Sequence, residues 1–199
     1  MPKQVDLIKA PCRTCAKGQY LELSLSDTWD GILHCSHCGV QVPRFTALPA
    51  KFFVYADGSC KANGAKGGGR GGWGAVIHDE DRTPLHELSG AEAGTTNNRM
   101  EILAVIKALE HLPTGALVEV WTDSQYVVKG MTEWIMGWKR RDWMKPDGAG
   151  VLNYELWQTL DKVASSRQVT WHWVRGHNGH AGNEHADRLA QAAADSVAR

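Results

Sequence analysis

From Lys51 onward the apolar residues change period at each short connection, and this alternation narrows the fold more than any other feature of the 199 residues. "KFFVYADGS" (51–59) is a short extended run rich in aromatic residues, and "WGAVIHDE" (73–80) and "PLHELSGAEAG" (84–94) add two more. The period then switches. Ile102, Val105, Ile106 and Leu109 form an i, i+3, i+4, i+7 stripe, which predicts a helix with one buried face. "ALVEVWTD" (116–123) is extended, and helical segments follow through about residue 164, broken near "KPDGAG" (145–150). "QVTWHWVRG" (168–176) is the last strand and "NEHADRLAQAAADSVA" the last helix. The order βββαβααβα calls for an α/β fold, a five-stranded mixed sheet with flanking helices. The glycine-dense "NGAKGGGRGG" (63–72) reads as a mobile turn between the first two strands. It is no phosphate loop, because no Gly-Lys-Ser/Thr ending precedes a helix.

The first fifty residues follow a different rule. Cys12 and Cys15 ("CRTC") and Cys35 and Cys38 ("CSHC") make two Cys-x-x-Cys knuckles nineteen residues apart. Four thiolates in two such pairs complete a tetrahedron around one structural Zn²⁺. Two disulfides would need an oxidising compartment, for which the sequence carries no signal. So small a piece buries little core, so metal binding would supply its folding energy. A zinc-ribbon-like domain is expected over 1–45, a linker at 46–50 inside the proline-flanked "VPRFTALPAK", and a larger domain over 51–199.

Charge and hydropathy exclude several functions. Lys and Arg number 22 against 22 Asp and Glu, so no global field draws in a polyanion, and any nucleic-acid role must be local. The N-terminus "MPKQVDLIKAPC" lacks the apolar core of a signal peptide, and no run approaches the ~18 apolar residues of a membrane span. The expectation is a soluble, cytoplasmic chain without a membrane partner.

Four acids stand out by position. Asp57 ends the first strand of the larger domain, and Asp123 ends the fourth. Glu101 lies in the first turn of the first helix, just off its stripe, and Asp187 lies early in the last helix. Strand ends and helix starts converge on one edge of a layered α/β domain. Each acid alone has an ordinary account as a turn former or a helix-start charge. Together they would repel one another unless a divalent cation lay between them. Oxygen donors select Mg²⁺, or Mn²⁺, over zinc. A pair of such ions ~4 Å apart suits displacement at phosphorus.

Six motifs now suggest a family: "DGSC" (57–60), "TTNNRME" (95–101), "TDSQYV" (122–127), "WIMGWKRR" (134–141), "NYELW" (153–157) and "VRGHNGHAGNEHADRLA" (174–190). In this order they resemble type 1 ribonuclease H. The resemblance implies an endonuclease that hydrolyses the RNA strand of RNA–DNA hybrids by two-metal-ion catalysis, leaving 5′-phosphate and 3′-hydroxyl ends. It implies two Mg²⁺ held by Asp57, Glu101, Asp123 and Asp187, the acids already picked out by position. His177 matches a histidine that assists proton transfer or product departure without binding metal, and a near-neutral pKa suits that task.

The resemblance also implies a set of substrate contacts. Asn97, Asn98 and Gln125 match residues that touch nucleotides near the cut, as do Cys60 and Asn63. Minor-groove amides there read the 2′-hydroxyls of an RNA strand. Thr96 and Asn153 match residues that hold a DNA phosphate. Trp134 and Trp138 match aromatic residues lining the DNA-strand channel; their i, i+4 spacing fits core packing equally, which is the reading for Trp157. His172 is read as a strand residue and His180 as loop structure.

This chain departs from the family pattern in two places. Its first loop is longer, with Lys66 and Arg70 in it. After "WKRR" the bases Lys139, Arg140, Arg141 and Lys145 are followed by "PDGAGVL", which adds none. The N-terminal ribbon, with five Lys and Arg against four Asp and Glu, would compensate by binding nucleic acid, or would bind a protein. A monomer is expected. Two other functions remain open: a hybrid-binding protein without catalysis, and another nuclease or strand-transfer enzyme of the same fold. Clustered acids argue against the first, and the "TTNNRME" and "TDSQYV" stretches against the second.

Overall fold

The computed structural model describes residues 50–64, 66–176 and 178–197, and four short strands between Ala10 and Pro43. The chain divides into two compact units, 1–50 and 51–199. In the first, β1 (Ala10–Pro11), β2 (Tyr20–Glu22), β3 (Ile32–Cys35) and β4 (Gln41–Pro43) make an antiparallel sheet in that order. Cys12, Cys15 and Cys38 lie outside the described residues, and of Cys35 only the backbone, at the end of β3, is described.

In the second unit, β5 (Lys51–Lys61), β6 (Gly69–His78) and β7 (Pro84–Thr95) form the expected meander. Helix α1 (Asn97–Glu110) leads to β8 (Leu117–Thr122). A helical run follows: α2 (Gln125–Lys129), a π-helical turn (Gly130–Trp134) and α3 (Ile135–Arg140). Helix α4 (Tyr154–Ser165), β9 (Gln168–Trp173) and α5 (Ala181–Ser196) complete the unit. The sheet order is β7-β6-β5-β8-β9, antiparallel over the meander and parallel from β5 to β9.

One face of the sheet carries α1 and α4, where Val54, Ile77, Ile102, Val105, Leu109, Val120 and Trp157 close the main core. Every residue of the Ile102–Leu109 stripe is buried. On the other face α5 packs on β5, β6 and β7 around Phe53, Tyr55, Val76 and Ala186. Among the described residues no helix is long and apolar enough to cross a membrane.

The glycine run corrects the reading of 63–72 as a mobile turn. From Gly69 it is part of β6, paired across to Lys61 and onward. A side chain on Gly72 or Gly74 would run into the backbone of α5 at Ala186, Ala190 and Ala194. These glycines form the bed on which α5 lies, and the alanines of α5 are small for the same reason.

Candidate active site

The acids meet where the sheet splays. Parallel pairing of β5 with β8 stops at Tyr55↔Trp121, while β5 continues with β6 to Lys61. Asp57 therefore sits inside a strand, two residues past the point where β8 leaves it. Asp123 lies one residue beyond the end of β8. Gly58 lets α1 approach, since a Cβ there would strike the backbone of Met100 and Glu101. Asp187 comes from the second turn of α5, and Gln191 donates to its Oδ1 at 2.6 Å.

Electrostatics shows that the four share one space. Asp57 is 7% exposed and accepts the Gly58 N–H at 2.7 Å. Its pKa is pushed up to about 8, first by burial and then by the charges of Asp123, Asp187 and Glu101, against the Gly58 hydrogen bond. Burial also raises Glu101, with Asp123 adding to the shift, while hydrogen bonds from Ser124 and Asn97 pull it back. The Asn97 amide donates to Glu101 Oε1 at 2.8 Å, and the Ser124 hydroxyl to Glu101 Oε2. Oxygen donors with uncompensated repulsion are what a hard divalent cation neutralises. Among the described residues no group of three or more His, Cys, Asp or Glu side chains is placed to hold a metal ion by itself.

The expected substrate residues flank these acids. Asn63 Oδ1 accepts the Asn97 N–H at 3.3 Å, which ties the first loop to the start of α1. The Cys60 thiol, held up by burial, points to the Thr95 carbonyl at 3.5 Å. Asn98 and Gln125 are exposed. Thr96 and Asn153 stand at the N-caps of α1 and α4, and neither side chain is used for capping. Arg99 and Glu155, at 2.5 Å, bind these two helix starts together.

A groove of about 570 Å³ is lined by Tyr126, Trp134, Trp138, Arg141, Lys145 and Leu152, among others. Trp134 is half-buried. Trp138, 9% exposed, packs on Trp157 at 5.2 Å and offers the groove little more than an edge. The π-helical turn begins at Gly130, where a Cβ would run into the Trp157 ring. Lys139 is tied to Asp161 at 2.6 Å, so the basic handle is smaller than its sequence count. His177 lies outside the described residues. His180 is more than loop: its ring caps α5, accepting from the Asn183 N–H at 3.5 Å, and lies near Tyr55 and Trp121. His172 is half-buried and stacks on Trp121 at 4.2 Å.

Ser124 and Trp173 are not singled out from sequence, yet Ser124 donates to the Glu101 carboxylate and Trp173 to the Asp123 main-chain oxygen. For Ser124 the available signal was its place directly after Asp123. Trp173 carried none beyond strand position.

The RNase H family model matches residues 49–195. This chain belongs to the RNase H family. It is an enzyme of ribonuclease H type. A ribonuclease H of Cupriavidus necator is 52% identical over 146 residues, covering 73% of this chain and 97% of that protein. A ribonuclease H of Cupriavidus pinatubonensis is 54% identical over 145 residues, covering 73% and 96%. Among solved structures, LC9-RNase H1, described as a type 1 RNase H with the type 2 active-site motif, is 39% identical with a TM-score of 0.67. It matches 74% of this chain and 73% of its own. LC11-RNase H1, solved in complex with an RNA/DNA hybrid, is 26% identical with a TM-score of 0.54, covering 72% and 96%. All of these relatives align with about three quarters of the chain, in keeping with a family match that begins at residue 49.

Proposed function

We propose that this family member hydrolyses the RNA strand of RNA–DNA hybrids through two divalent ions held by Asp57, Glu101, Asp123 and Asp187, leaving 5′-phosphate and 3′-hydroxyl ends. The observation that carries this reading is that Asp57 lies buried within the charge of the three other acids, and burial first and their repulsion second push its pKa up to about 8. Mg²⁺, or Mn²⁺ in its place, would activate the attacking water and stabilise the departing oxygen when bound. Asp57 and Asp123 are the acids closest in influence, and they would hold the charge at the centre of the site. Asn97 and Ser124 orient Glu101 from two sides, so its carboxylate is aimed before substrate arrives. His177 would hand a proton to the leaving oxygen.

The hybrid would lie with its RNA strand over Cys60, Asn63, Asn97, Asn98 and Gln125, and its DNA strand along Trp134 and Trp138. Amides suit the RNA minor groove, where 2′-hydroxyls are displayed. Aromatic edges suit deoxyribose. A DNA phosphate would sit between Thr96 and Asn153, whose side chains are not spent on their own helix N-termini. In the first unit, one Zn²⁺ on Cys12, Cys15, Cys35 and Cys38 would hold together strands of two to four residues, too short to build a core. The chain would act in the cytoplasm as a monomer.

The deciding experiment compares the parent with Asp123→Asn on labelled hybrid, duplex DNA and duplex RNA. The variant should bind hybrid and lose most cleavage, and the parent should cut the RNA of the hybrid alone. Near-normal turnover of Asp123→Asn in saturating Mg²⁺ would overturn the ligand set.

A further inference from the structure

We infer that Trp173 is a positioning residue for Asp123, a role that rests on the carboxylate assignment above. The β8–β9 ladder ends at Thr122↔Trp173, with the Val174 N–H still reaching the Thr122 carbonyl at 3.0 Å. Asp123 is the next residue, past the last pair. Ser124 already belongs to α2, whose cap it forms by accepting the Val127 N–H. Asp123 is thus a one-residue joint between the strand and the helix cap, where the Ser124 N–H donates to Thr122 Oγ1 at 3.1 Å on one edge of the Asp123–Ser124 peptide. A planar peptide leaves two soft angles at such a joint. A second hydrogen bond, to the Asp123 carbonyl on the opposite edge, fixes the tilt of that peptide and with it the direction of the Asp123 Cα–Cβ bond.

Trp173 supplies that restraint. Its indole Nε1–H donates to the Asp123 main-chain oxygen at 3.0 Å. The ring itself is 47% exposed, so packing alone is a weak reason for a tryptophan here. It forms one wall of a second groove of about 330 Å³ with Gln125, Val128, Lys129 and Glu133. The same end of β9 also touches the carboxylate: a Cβ on Gly176 would collide with Asp123 Oδ2. The segment that leaves β9 therefore meets Asp123 twice: Trp173 holds its backbone with a donor, and Gly176 leaves the room that its carboxylate occupies.

The test uses the full chain. Trp173→Phe keeps a ring and deletes the donor. Its melting temperature should stay close to the parent's, and its KM for hybrid should not change. Its kcat should fall about 10-fold, and Mg²⁺ affinity, read by calorimetry without nucleic acid, should weaken by about 10-fold, as when a supporting hydrogen bond to a metal ligand is lost. Gly176→Ala, which presses on the carboxylate from the other side, should weaken Mg²⁺ binding in the same direction. In the parent, the Trp173 indole N–H resonance should shift on addition of Mg²⁺, a reading that needs no variant. Unchanged Mg²⁺ affinity and kcat in Trp173→Phe, a change confined to KM, or an indole signal blind to Mg²⁺ would each overturn the role. If Asp123→Asn cleaves normally, the carboxylate reading itself has failed. If Asp123→Asn is inactive and Trp173→Phe is normal, only the positioning role falls.

Discussion

Ser124 donates its hydroxyl to Glu101 while accepting the Val127 N–H, so one side chain both aims a catalytic acid and starts α2. The two tasks predict a double loss. Ser124→Ala should cost about 1 kcal/mol from the missing cap. It should also raise the Glu101 pKa further, because a hydrogen bond that favours the charged form is gone. Asn97→Ala should raise that pKa without touching the cap. Carboxyl carbon NMR titration with thermal melts separates the two effects, and an unmoved Glu101 in both variants would mean the bonds do not persist in solution.

Asp57 predicts a pH dependence of opposite sign to that of a salt-bridged acid. Its folded pKa of about 8 lies above its ordinary value of 3.8. Between those values the folded chain keeps a proton that the unfolded chain has released, so stability must fall as pH rises through the window. Metal-free protein should melt higher at pH 5.5 than at pH 8, and Asp57→Asn should flatten the difference while abolishing cleavage. Mg²⁺ should restore stability at pH 8. A metal-free protein that gains stability over this range would contradict the shared-field account of the site.

Gly74 tests whether the second face of the sheet holds a catalytic element in place. A methyl group there meets Ala186 and Ala190 of α5, the helix that carries Asp187. Gly74→Ala should cost about 1–3 kcal/mol as overpacking. It should also lower kcat by displacing Asp187. Thermal melts read the first effect and steady-state cleavage rates the second, and an unchanged melting temperature would show that α5 does not rest on this glycine.

These sites differ in how far the sequence announced them. The Ile102–Leu109 stripe and the order of strands are local patterns, and the backbone follows them. Of the acids only Asp123 stands at the boundary its sequence position suggests; Asp57 lies inside β5, which runs on to Lys61, and Glu101 lies in the second turn of α1, not the first. The glycine run was not legible, since the reason for it lies in α5, more than a hundred residues away. The need for Gly130 at the start of the π-helical turn was not legible either, since the ring it makes room for belongs to Trp157, 27 residues on. Trp173 was hidden for the same cause: its partner, Asp123, is fifty residues distant in the chain.

His177 is expected to move protons and not to bind metal. His177→Ala should slow turnover by about 10²-fold or less, the range of a general acid–base contribution. Calorimetric Mg²⁺ affinity should be unchanged. Loss of Mg²⁺ binding in this variant would reassign the histidine to the ligand set.

The first fifty residues carry the last prediction. If Cys12, Cys15, Cys35 and Cys38 hold one Zn²⁺, Cys35→Ser should release it and unfold that unit, since short strands alone bury too little. The compact unit over 51–199 should keep its fold and its cleavage, because the core that positions the acids is drawn from that unit itself. Lys139 is paired with Asp161, so one base of the handle is shared with an acid, and added basic contacts from the first unit would strengthen the grip on a hybrid. If the ribbon binds nucleic acid, the variant should bind long hybrids less tightly with kcat little changed. Its salt dependence should become shallower by about one slope unit per lost phosphate contact. A protein-binding ribbon would leave affinity and salt slope equal to the parent's on every hybrid length. Titrations of both forms on short and long hybrids at two salt concentrations decide between them, with zinc content read by atomic absorption. Superimposable curves would remove the nucleic-acid reading of the first fifty residues, and retained zinc in Cys35→Ser would remove the metal site itself.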